Sequence, residues 1–341
     1  MRRVLLPLHF SPSPAPAGGT LRDFSGHSMG TGWSVRLVEH GAVAPSQEML
    51  QQQLDVVVAQ MSHWFEDSNL GRFNRAQAGT WHSLPAEFFE VLAFALGVAH
   101  DSGGAYDPCA GALVNLWGFG PLGRFDQAGF TPPSAAGVAA LLAQQRARGV
   151  ELDMVARRAR QPGGALLDLS AVAKGYGVDR LARYLETRGV RHYLVEVGGE
   201  LRGAGVKPDG QPWWVALEGV ADSDSDSSSI LQPAPMVLAL HGLAVATSGD
   251  YRRYFKRGAQ RFSHTIDPRS GAPIANELAS VTVLHAACMA ADAWSTALTV
   301  LGLDAGMALA ERLGLAARFV RRRADGFDEH LSSQLQAMLD A

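Results

Sequence analysis

The sequence contains few cysteines and no long apolar run. Cys109 and Cys288 are the two cysteines among 341 residues, and they lack the CxxC spacing of a zinc or redox site. We therefore expect two reduced thiols in the protein core. No stretch approaches the roughly 18 consecutive apolar residues of a membrane-spanning helix, so we expect no transmembrane segment.

The sequence also lacks an excess of charge of one sign and two common nucleotide-binding signatures. Its formal net charge is −3, and no basic stripe with interleaved aromatic residues is present, which argues against a nucleic-acid partner. Neither GxxxxGK[ST] nor a G-x-G-x-x-G at the start of a βαβ unit occurs. A dinucleotide, if one binds, must use another kind of site.

The N-terminal stretch, residues 1–20, contains two arginines and several prolines that interrupt its apolar residues before they reach signal-peptide length. We expect a flexible Pro-rich lead and a cytoplasmic protein, with the periplasm as the alternative. Hydrophobic residues make up 47% of the chain, enough for a large core. The rest, 21–341, is predicted to be a single α+β domain with a flexible Asp/Ser-rich insertion at 221–235.

Hydrophobic periodicity predicts the elements of this domain. We expect helices near 46–64, 88–100, 134–149, 170–189, 289–301 and 304–314. We expect strands near 27–37, 192–202, 237–240, 244–247 and 280–284, and a hairpin within 151–167. Within the strand at 192–202, the pair Gly198-Gly199 indicates a bulge or a close backbone approach, and with it a ligand-facing edge.

One cluster of polar residues lies in an apolar helix. Asp292, Ser295 and Thr296 are spaced i, i+3 and i+4, so they share one helix face and present a carboxylate and two hydroxyls, which suits a hard cation. The spacing equally allows both hydroxyls to bond helix carbonyls while Asp292 caps the helix or pairs with an arginine.

A second cluster lies at a strand-to-helix junction. Asp168, Ser170 and Lys174 fit either a helix cap with a solvated lysine or an anion site at the helix start, where free N–H groups favour negative charge. In the second interpretation, the backbone near Ala171 faces a metal ion.

Single residues add further candidates. His264, on a loop before a Pro/Gly turn, is either a general base or a structural histidine. Trp64, Tyr106 and Trp117 are candidates for stacking on a flat ring such as isoalloxazine or adenine, with core packing as the alternative.

Eight blocks of the sequence together carry a resemblance to a known family. They are MGTGWSV (29–35), MSHWFEDSNLGRFN (61–74), GAYDPCAGALVNLWGFGP (104–121), DLSAVAKGYGVD (168–179), YLVEVGGELR (193–202), TSGDYRRYF (247–255), SHTIDPRSGAP (263–273), and ASVTV with ADAWSTAL (279–298). In this order they resemble the ApbE family of FAD:protein FMN transferases.

The resemblance implies a Mg²⁺-dependent enzyme that splits FAD, releases AMP, and attaches FMN through its phosphate to a threonine or serine of a target protein. It also implies an ApbE-type, T-fold-like domain with mixed and antiparallel sheets, flanking helices and FAD in a central cleft. By motif position, the FAD site would be lined by Met29, Trp64, Ala105, Tyr106, Asp107, Asp168, Lys174 and Ile266. The magnesium ligands would be Ala171, through its carbonyl, with Asp292, Ser295 and Thr296, and His264 would be the base.

The sequence departs from the family in three places, one of which is the Asp/Ser-rich insertion at 221–235. Many members begin with a lipoprotein signal and its cysteine, which this sequence does not show, and Cys109 replaces the threonine common after the Asp-Pro pair. Two alternative functions stay open. One is a Mg²⁺-dependent FAD pyrophosphatase, in which water replaces the acceptor hydroxyl. The other is a non-catalytic FAD-binding protein, which would need neither His264 nor the Asp292 cluster.

Overall fold

The structure is a computed structural model that describes residues 3–9, 18–39, 45–146, 149–219, 233–250, 253–258 and 260–339. The helices are α1 (Gln47–Met61), α2 (Asn69–Asn74), α3 (Ala86–Asp101), α4 (Gly111–Leu116), α5 (Ala135–Arg146), α6 (Ala173–Thr187), α7 (Cys288–Leu301), α8 (Leu303–Leu313) and α9 (Ser333–Leu339). The strands are β1 (Arg3–Leu5), β2 (Thr20–Ser28), β3 (Thr31–Glu39), β4 (Trp81–Ser83), β5 (Glu151–Asp153), β6 (Arg158–Arg160), β7 (Tyr193–Val197), β8 (Glu200–Ala204), β9 (Trp213–Ala216), β10 (Met236–Leu240), β11 (Leu243–Gly249), β12 (Tyr254–Arg257), β13 (Gln260–Ser263), β14 (Ile266–Asp267), β15 (Ala272–Pro273), β16 (Leu278–His285), β17 (Ala316–Arg323) and β18 (Gly326–Leu331).

These elements form two compact units, each with its own sheets and core. The first unit is Met1–Asp55, Lys174–Tyr251 and Glu277–Ala341, and the second is Val56–Ala173 and Arg252–Asn276. Antiparallel sheets flanked by helices confirm the predicted α+β class. The single domain expected over 21–341 stays a prediction.

The first unit is built on an eight-stranded sheet in the order β18-β17-β16-β11-β8-β7-β3-β2, in which all neighbours are antiparallel. Alternate side chains of a strand point to opposite faces, and this sheet buries residues on both. On β3, Val35 and Leu37 join the core beneath α6 and α7, whereas Val38 joins the core beside the small sheet β1-β10-β9. Helix α7 packs against β11 and β16.

Two predicted strands are hairpins instead. The expected strand at 27–37 spans β2, a turn at Met29-Gly30 and β3, with Ser28 paired to Thr31. Met29 and Gly30 have φ angles of 52° and 73°, as a two-residue hairpin turn requires. In the same way, Gly198 and Gly199, with φ of 63° and 100°, connect β7 to β8. The glycine pair forms a turn, and the predicted bulge is wrong.

The two segments predicted to be flexible have different outcomes. Arg3–Leu5 forms strand β1, which pairs with β10 in parallel, and Leu5 is fully buried, so the expectation of a loose lead is wrong for this part. Residues 10–17 lie outside the described residues. The insertion expected at 221–235 lies mostly outside them as well, at 220–232. The flanking strands β9 and β10 pair with each other.

The second unit has a compact aromatic core under small sheets. It contains the sheet β4-β6-β5, the pairs β12-β13 and β14-β15, and helices α2 to α5. Trp117 and Phe119 pack with Phe255, Phe262 and Ile266. The Trp117 indole Nε1 donates to the Gly271 carbonyl at 2.7 Å, so Trp117 is a core residue, as the alternative to ring stacking predicted.

The two cysteines are free thiols that differ in burial. Cys288 is buried, as expected of a core thiol, whereas Cys109 is half-buried. None of the helices in the described part of the chain has the length and apolar character needed to cross a membrane.

Candidate functional site

The residues that the sequence singles out form two groups, one in each unit. The first unit contains Met29, Lys174, Asp292, Ser295 and Thr296, and the second contains Trp64, Ala105, Tyr106, Asp107, Asp168, Ala171, His264 and Ile266. Each group has its own geometry.

In the first unit, Asp292 is held by the start of α6. The side chain of Asp292 is only 6% exposed, and its Oδ2 accepts the backbone N–H of Gly175 at 3.0 Å. A Cβ at Gly175 would lie 2.4 Å from the Cys288 carbonyl oxygen and 2.8 Å from the Asp292 Cβ, closer than real contacts allow. Only glycine permits this approach of α6 to α7.

Lys174 lies between two carboxylates. Its Nζ donates to Glu200 Oε1 and is 3.9 Å from Asp292 Oδ1. The side chain of Glu200 is 3% exposed and that of Lys174 is 30% exposed. Lys174 is therefore not the solvated lysine of one sequence interpretation. The sequence analysis missed Glu200, whose signal was an acid directly after the pair Gly198-Gly199.

Neighbouring charges and burial have opposite effects on the pKa values of Lys174 and Asp292. Burial disfavours the charged form of Lys174, but the carboxylates of Asp292 and Glu200 outweigh burial and raise the pKa of Lys174. Burial also raises the pKa of Asp292, although Lys174 and the Gly175 N–H act in the other direction. With both acids ionised, two carboxylates face one ammonium group. The three groups then carry a net negative charge, which a bound cation can neutralise.

Ser295 and Thr296 follow Asp292 on the same face of α7. The Ser295 hydroxyl donates to the Asp292 carbonyl at 2.8 Å, as the structural alternative predicted, and keeps lone pairs that can accept or bind a cation. Thr296 is half-buried. No described group of three His, Cys, Asp or Glu side chains has the arrangement of a metal site. Magnesium, however, takes one or two carboxylates together with phosphate and water oxygens, so the donor set of Asp292 and the two hydroxyls fits it.

Asp179, which the sequence analysis did not single out, positions α7. Its two carboxylate oxygens accept the N–H groups of Cys288 and Met289 at 3.0 and 2.9 Å, and Oδ1 also accepts from Arg202 at 2.7 Å. The N-cap residue of α7, Ala287, makes no side-chain cap bond of its own. A carboxylate on α6 therefore caps α7, one turn before Asp292.

Met29 lies against helix α6. A Cβ at Gly177 would be 2.9 Å from the Met29 Cε, so the absence of a side chain at Gly177 makes room for Met29. The hairpin turn of β2 and β3 is thus placed beside the first turns of α6.

In the second unit, two chain segments bring Asp107 and Asp168 near each other. The Asp168 N–H donates to the Pro108 carbonyl at 2.8 Å. Asp107 Oδ1 accepts the Cys109 N–H, and burial raises the pKa of Asp107. Asp168 Oδ1 accepts the Ser170 N–H at 2.8 Å, which closes a turn ahead of α6. The predicted cap at the helix start is thus a side-chain turn over 168–170. The next turn, closed by the Val172 N–H that donates to the Leu169 carbonyl at 3.0 Å, contains Ala171, and α6 begins at Ala173.

The aromatic candidates of this unit differ in exposure. Trp64 is 42% exposed, and the Arg124 guanidinium lies 5.8 Å from its ring centroid. Tyr106 and Ala105 are buried, at 4% and 1% exposure. Trp64 therefore has open ring surface for a flat ligand, whereas Tyr106 belongs to the buried core.

His264 has a defined tautomer. Its Nδ1 is 2.9 Å from the Arg253 carbonyl oxygen, which also accepts the His264 backbone N–H at 3.1 Å. Because a carbonyl only accepts, Nδ1 carries the proton and Nε2 presents a lone pair in the neutral ring. Phe119 packs edge-on against the imidazole, and Ile266 lies two residues further along, buried in the aromatic core. The bond to the Arg253 carbonyl therefore fixes the orientation of the ring and leaves Nε2 as an acceptor.

Comparison with known proteins gives a consistent result. The sequence model of the ApbE family matches residues 29–319. A protein named FAD:protein FMN transferase from Vibrio cholerae is 36% identical over 320 residues, covering 92% of each chain. A protein of the same name from Haemophilus influenzae is 35% identical over 329 residues, covering 93% of this chain and 91% of its own.

Solved structures agree with the sequences. The flavin transferase ApbE from Vibrio cholerae has a TM-score of 0.81 and 34% identity, covering 94% of this chain and 99% of its own. The apo form of the Pseudomonas stutzeri flavinyl transferase ApbE also has a TM-score of 0.81, with 38% identity, covering 95% and 98%.

Proposed function

Because this chain belongs to the ApbE family, we propose that it is an FAD:protein FMN transferase that moves FMN from FAD to a threonine or serine hydroxyl of a target protein. The observation that carries this proposal is similarity along nearly the whole chain to proteins of that name, at 36% and 35% identity. The hydroxyl acceptor and a cytoplasmic location go beyond those names and remain part of the proposal.

The proposed reaction is phosphoryl transfer. The acceptor oxygen forms a bond to the phosphorus on the FMN side of the FAD pyrophosphate, and the bond from that phosphorus to the bridging oxygen breaks. The hydroxyl proton leaves, and AMP departs with the bridging oxygen. No group is oxidised or reduced in this reaction. In such reactions the protein contributes chiefly alignment and electrostatic stabilisation.

His264 takes the hydroxyl proton in this proposal. Its Nδ1–H bond to the Arg253 carbonyl orients the ring and leaves Nε2 as the accepting atom. A neutral imidazole with a free ring nitrogen is a common general base.

Asp292, Ser295 and Thr296, with the carbonyl of Ala171, are the proposed magnesium ligands. When bound, magnesium neutralises charge on the pyrophosphate oxygens. Lys174, beside Asp292, adds a fixed positive charge for the same phosphates. Gly175 and Asp179 keep Asp292 in place through their bonds to Asp292 and to the first residues of α7.

FAD is proposed to contact the residues that the family resemblance assigns to its site. Trp64 offers ring surface to the isoalloxazine or the adenine, and Met29, Ala105, Tyr106 and Ile266 offer apolar walls. Asp107 and Asp168 are proposed to accept hydrogen bonds from FAD.

One experiment separates this function from its alternatives. The purified protein is incubated with FAD, Mg²⁺ and an acceptor protein carrying a threonine flavinylation motif, and covalent FMN is followed by mass shift and in-gel fluorescence. We expect a magnesium-dependent adduct with equimolar AMP. Free FMN and AMP without an adduct would favour the pyrophosphatase, and intact bound FAD would favour a binding protein.

A further inference from the structure

Glu200 is a buried carboxylate next to the proposed magnesium ligand, and the proposed reaction gives it no role. Its side chain is 3% exposed at the start of β8, directly after the glycine turn. A buried acid is costly unless it is paired, and here the partner is the ammonium of Lys174.

The ammonium of Lys174 lies at unequal distances from the two carboxylates. Lys174 Nζ is within hydrogen-bond distance of Glu200 Oε1 but 3.9 Å from Asp292 Oδ1. Asp292 uses its other oxygen, Oδ2, to accept the Gly175 N–H at 3.0 Å. The ammonium is therefore bonded to Glu200, and Asp292 Oδ1 makes only a longer ionic contact to it.

Without Glu200, the carboxylate that remains beside Lys174 in the described part of the chain is that of Asp292. Lysine is a flexible point charge, so its ammonium would close the 3.9 Å gap and form a direct ion pair with Asp292. A cation would then have to displace that ammonium to reach Oδ1.

We propose that Glu200 is a positioning residue that holds the Lys174 ammonium away from Asp292 and so keeps Asp292 Oδ1 available to the divalent cation. This inference rests on the proposed function, and it assigns Glu200 a role in cation affinity that is exerted through Lys174. Glu200 is not proposed to touch FAD or the cation.

The test measures cation binding directly. Mn²⁺, a hard cation with an electron paramagnetic resonance signal, is titrated into the FAD-loaded protein, and the signal of free Mn²⁺ gives the dissociation constant. The variants are Glu200→Gln, Lys174→Met and the double variant. The matched control is Glu329→Gln, which removes a carboxylate charge that is 10% exposed from the Arg318 ion pair on β17 and β18 of the same unit. Thermal unfolding checks that each variant is folded.

We expect Glu200→Gln to raise the Mn²⁺ dissociation constant about tenfold or more, because the ammonium now competes for Asp292. In the Lys174→Met background, Glu200→Gln should have less than about twofold effect, since no ammonium is left to position. Glu329→Gln should leave the dissociation constant within about twofold of wild type.

Other results would overturn the inference. An unchanged dissociation constant in Glu200→Gln would do so, and so would an equal loss in both backgrounds, which would mean that Glu200 acts directly on the cation. If the wild-type protein transferred FMN and bound Mn²⁺ but Glu200→Gln behaved like wild type, this inference alone would fail. If the wild-type protein bound no Mn²⁺, the proposed magnesium site would fail with it.

Discussion

The carboxylate of Asp179 on α6 accepts the backbone N–H of Met289 at 2.9 Å, and through this bond one helix caps the other. The same carboxylate accepts from Cys288 and Arg202, so it satisfies two helix-end donors and one guanidinium. Because the acid is 5% exposed, losing it leaves buried donors without a partner.

Replacing Asp179 should therefore cost stability. We expect Asp179→Ala to lower the free energy of unfolding by about 3 kcal/mol, because it breaks a buried ion pair and removes a helix cap. Asp179→Asn, which keeps one acceptor oxygen, should lose less. Urea denaturation followed by circular dichroism measures both. A loss below about 0.5 kcal/mol in Asp179→Ala would contradict the capping role.

Gly175 should tolerate no side chain. Gly175→Ala places a Cβ 2.4 Å from the Cys288 carbonyl oxygen, so α6 and α7 must separate and Asp292 must shift. We expect a lower melting temperature and weaker Mn²⁺ binding. The control is Gly97→Ala in α3, where a Cβ meets nothing within 4 Å, and which should stabilise the helix by about 0.5–1 kcal/mol. Equal melting temperatures for the two variants would refute the close approach.

His264 should be needed for transfer but not for FAD binding. His264→Ala should slow formation of the FMN adduct by about 10²–10⁴-fold, the usual contribution of a general base, with little change in the FAD dissociation constant. His82→Ala, at another half-buried histidine of the same unit, should keep transfer within a few-fold of wild type. Undiminished transfer by His264→Ala would rule out its role as the base.

Both thiols should react slowly in the folded protein. Burial raises the pKa of Cys109, with the negative charge of Asp107 adding to it, and burial also raises the pKa of Cys288. Since the thiolate is the reactive form, Ellman's reagent at pH 8 should label neither residue rapidly. In denaturant, two thiols per chain should react at once. Fast labelling of the native protein would show that a thiol is open to solvent.

Asp328 should contribute an acid-sensitive increment of stability. The guanidinium groups of Arg321 and then Arg323 bond its carboxylate and lower the pKa of Asp328. A carboxyl group whose pKa is lower in the folded state stabilises the fold at pH values above its unfolded-state pKa of about 3.9. This stabilisation is lost as the pH falls through the folded-state pKa.

The measurement compares wild type with Asp328→Asn. At pH 7 the variant should be less stable by no more than about 1 kcal/mol, because the ion pairs are partly exposed. The difference should shrink progressively below about pH 4. If the stability difference between wild type and Asp328→Asn grew as the pH fell, the prediction would be contradicted.

The periodic spacing of hydrophobic residues was sufficient to predict the long helices. The helix expected at 289–301 is α7, Cys288–Leu301, and the one expected at 304–314 is α8, Leu303–Leu313. Both have an apolar stripe that repeats with the helical period. The hairpin at Met29-Gly30 was missed because alternation continues through a two-residue turn, and Met-Gly is not one of the common turn pairs.

The candidate site was predictable only where its residues are close in sequence. Asp292, Ser295 and Thr296 lie within one turn of a helix, so their shared face follows from spacing. Glu200 is 26 residues from Lys174, and Asp292 is 117 residues from Gly175. Such pairs are created by tertiary packing, and local patterns in the sequence contain no information about them.

The contacts of α6 with α7 occur in reverse order along the two helices. Gly175 contacts Asp292, and Asp179, one turn later on α6, contacts Cys288, one turn earlier on α7. Neither helix can slide along the other without breaking both contacts together. The amide protons of Gly175, Cys288 and Met289 should therefore exchange with solvent at one common, slow rate set by unfolding of the whole unit, and not by local fraying.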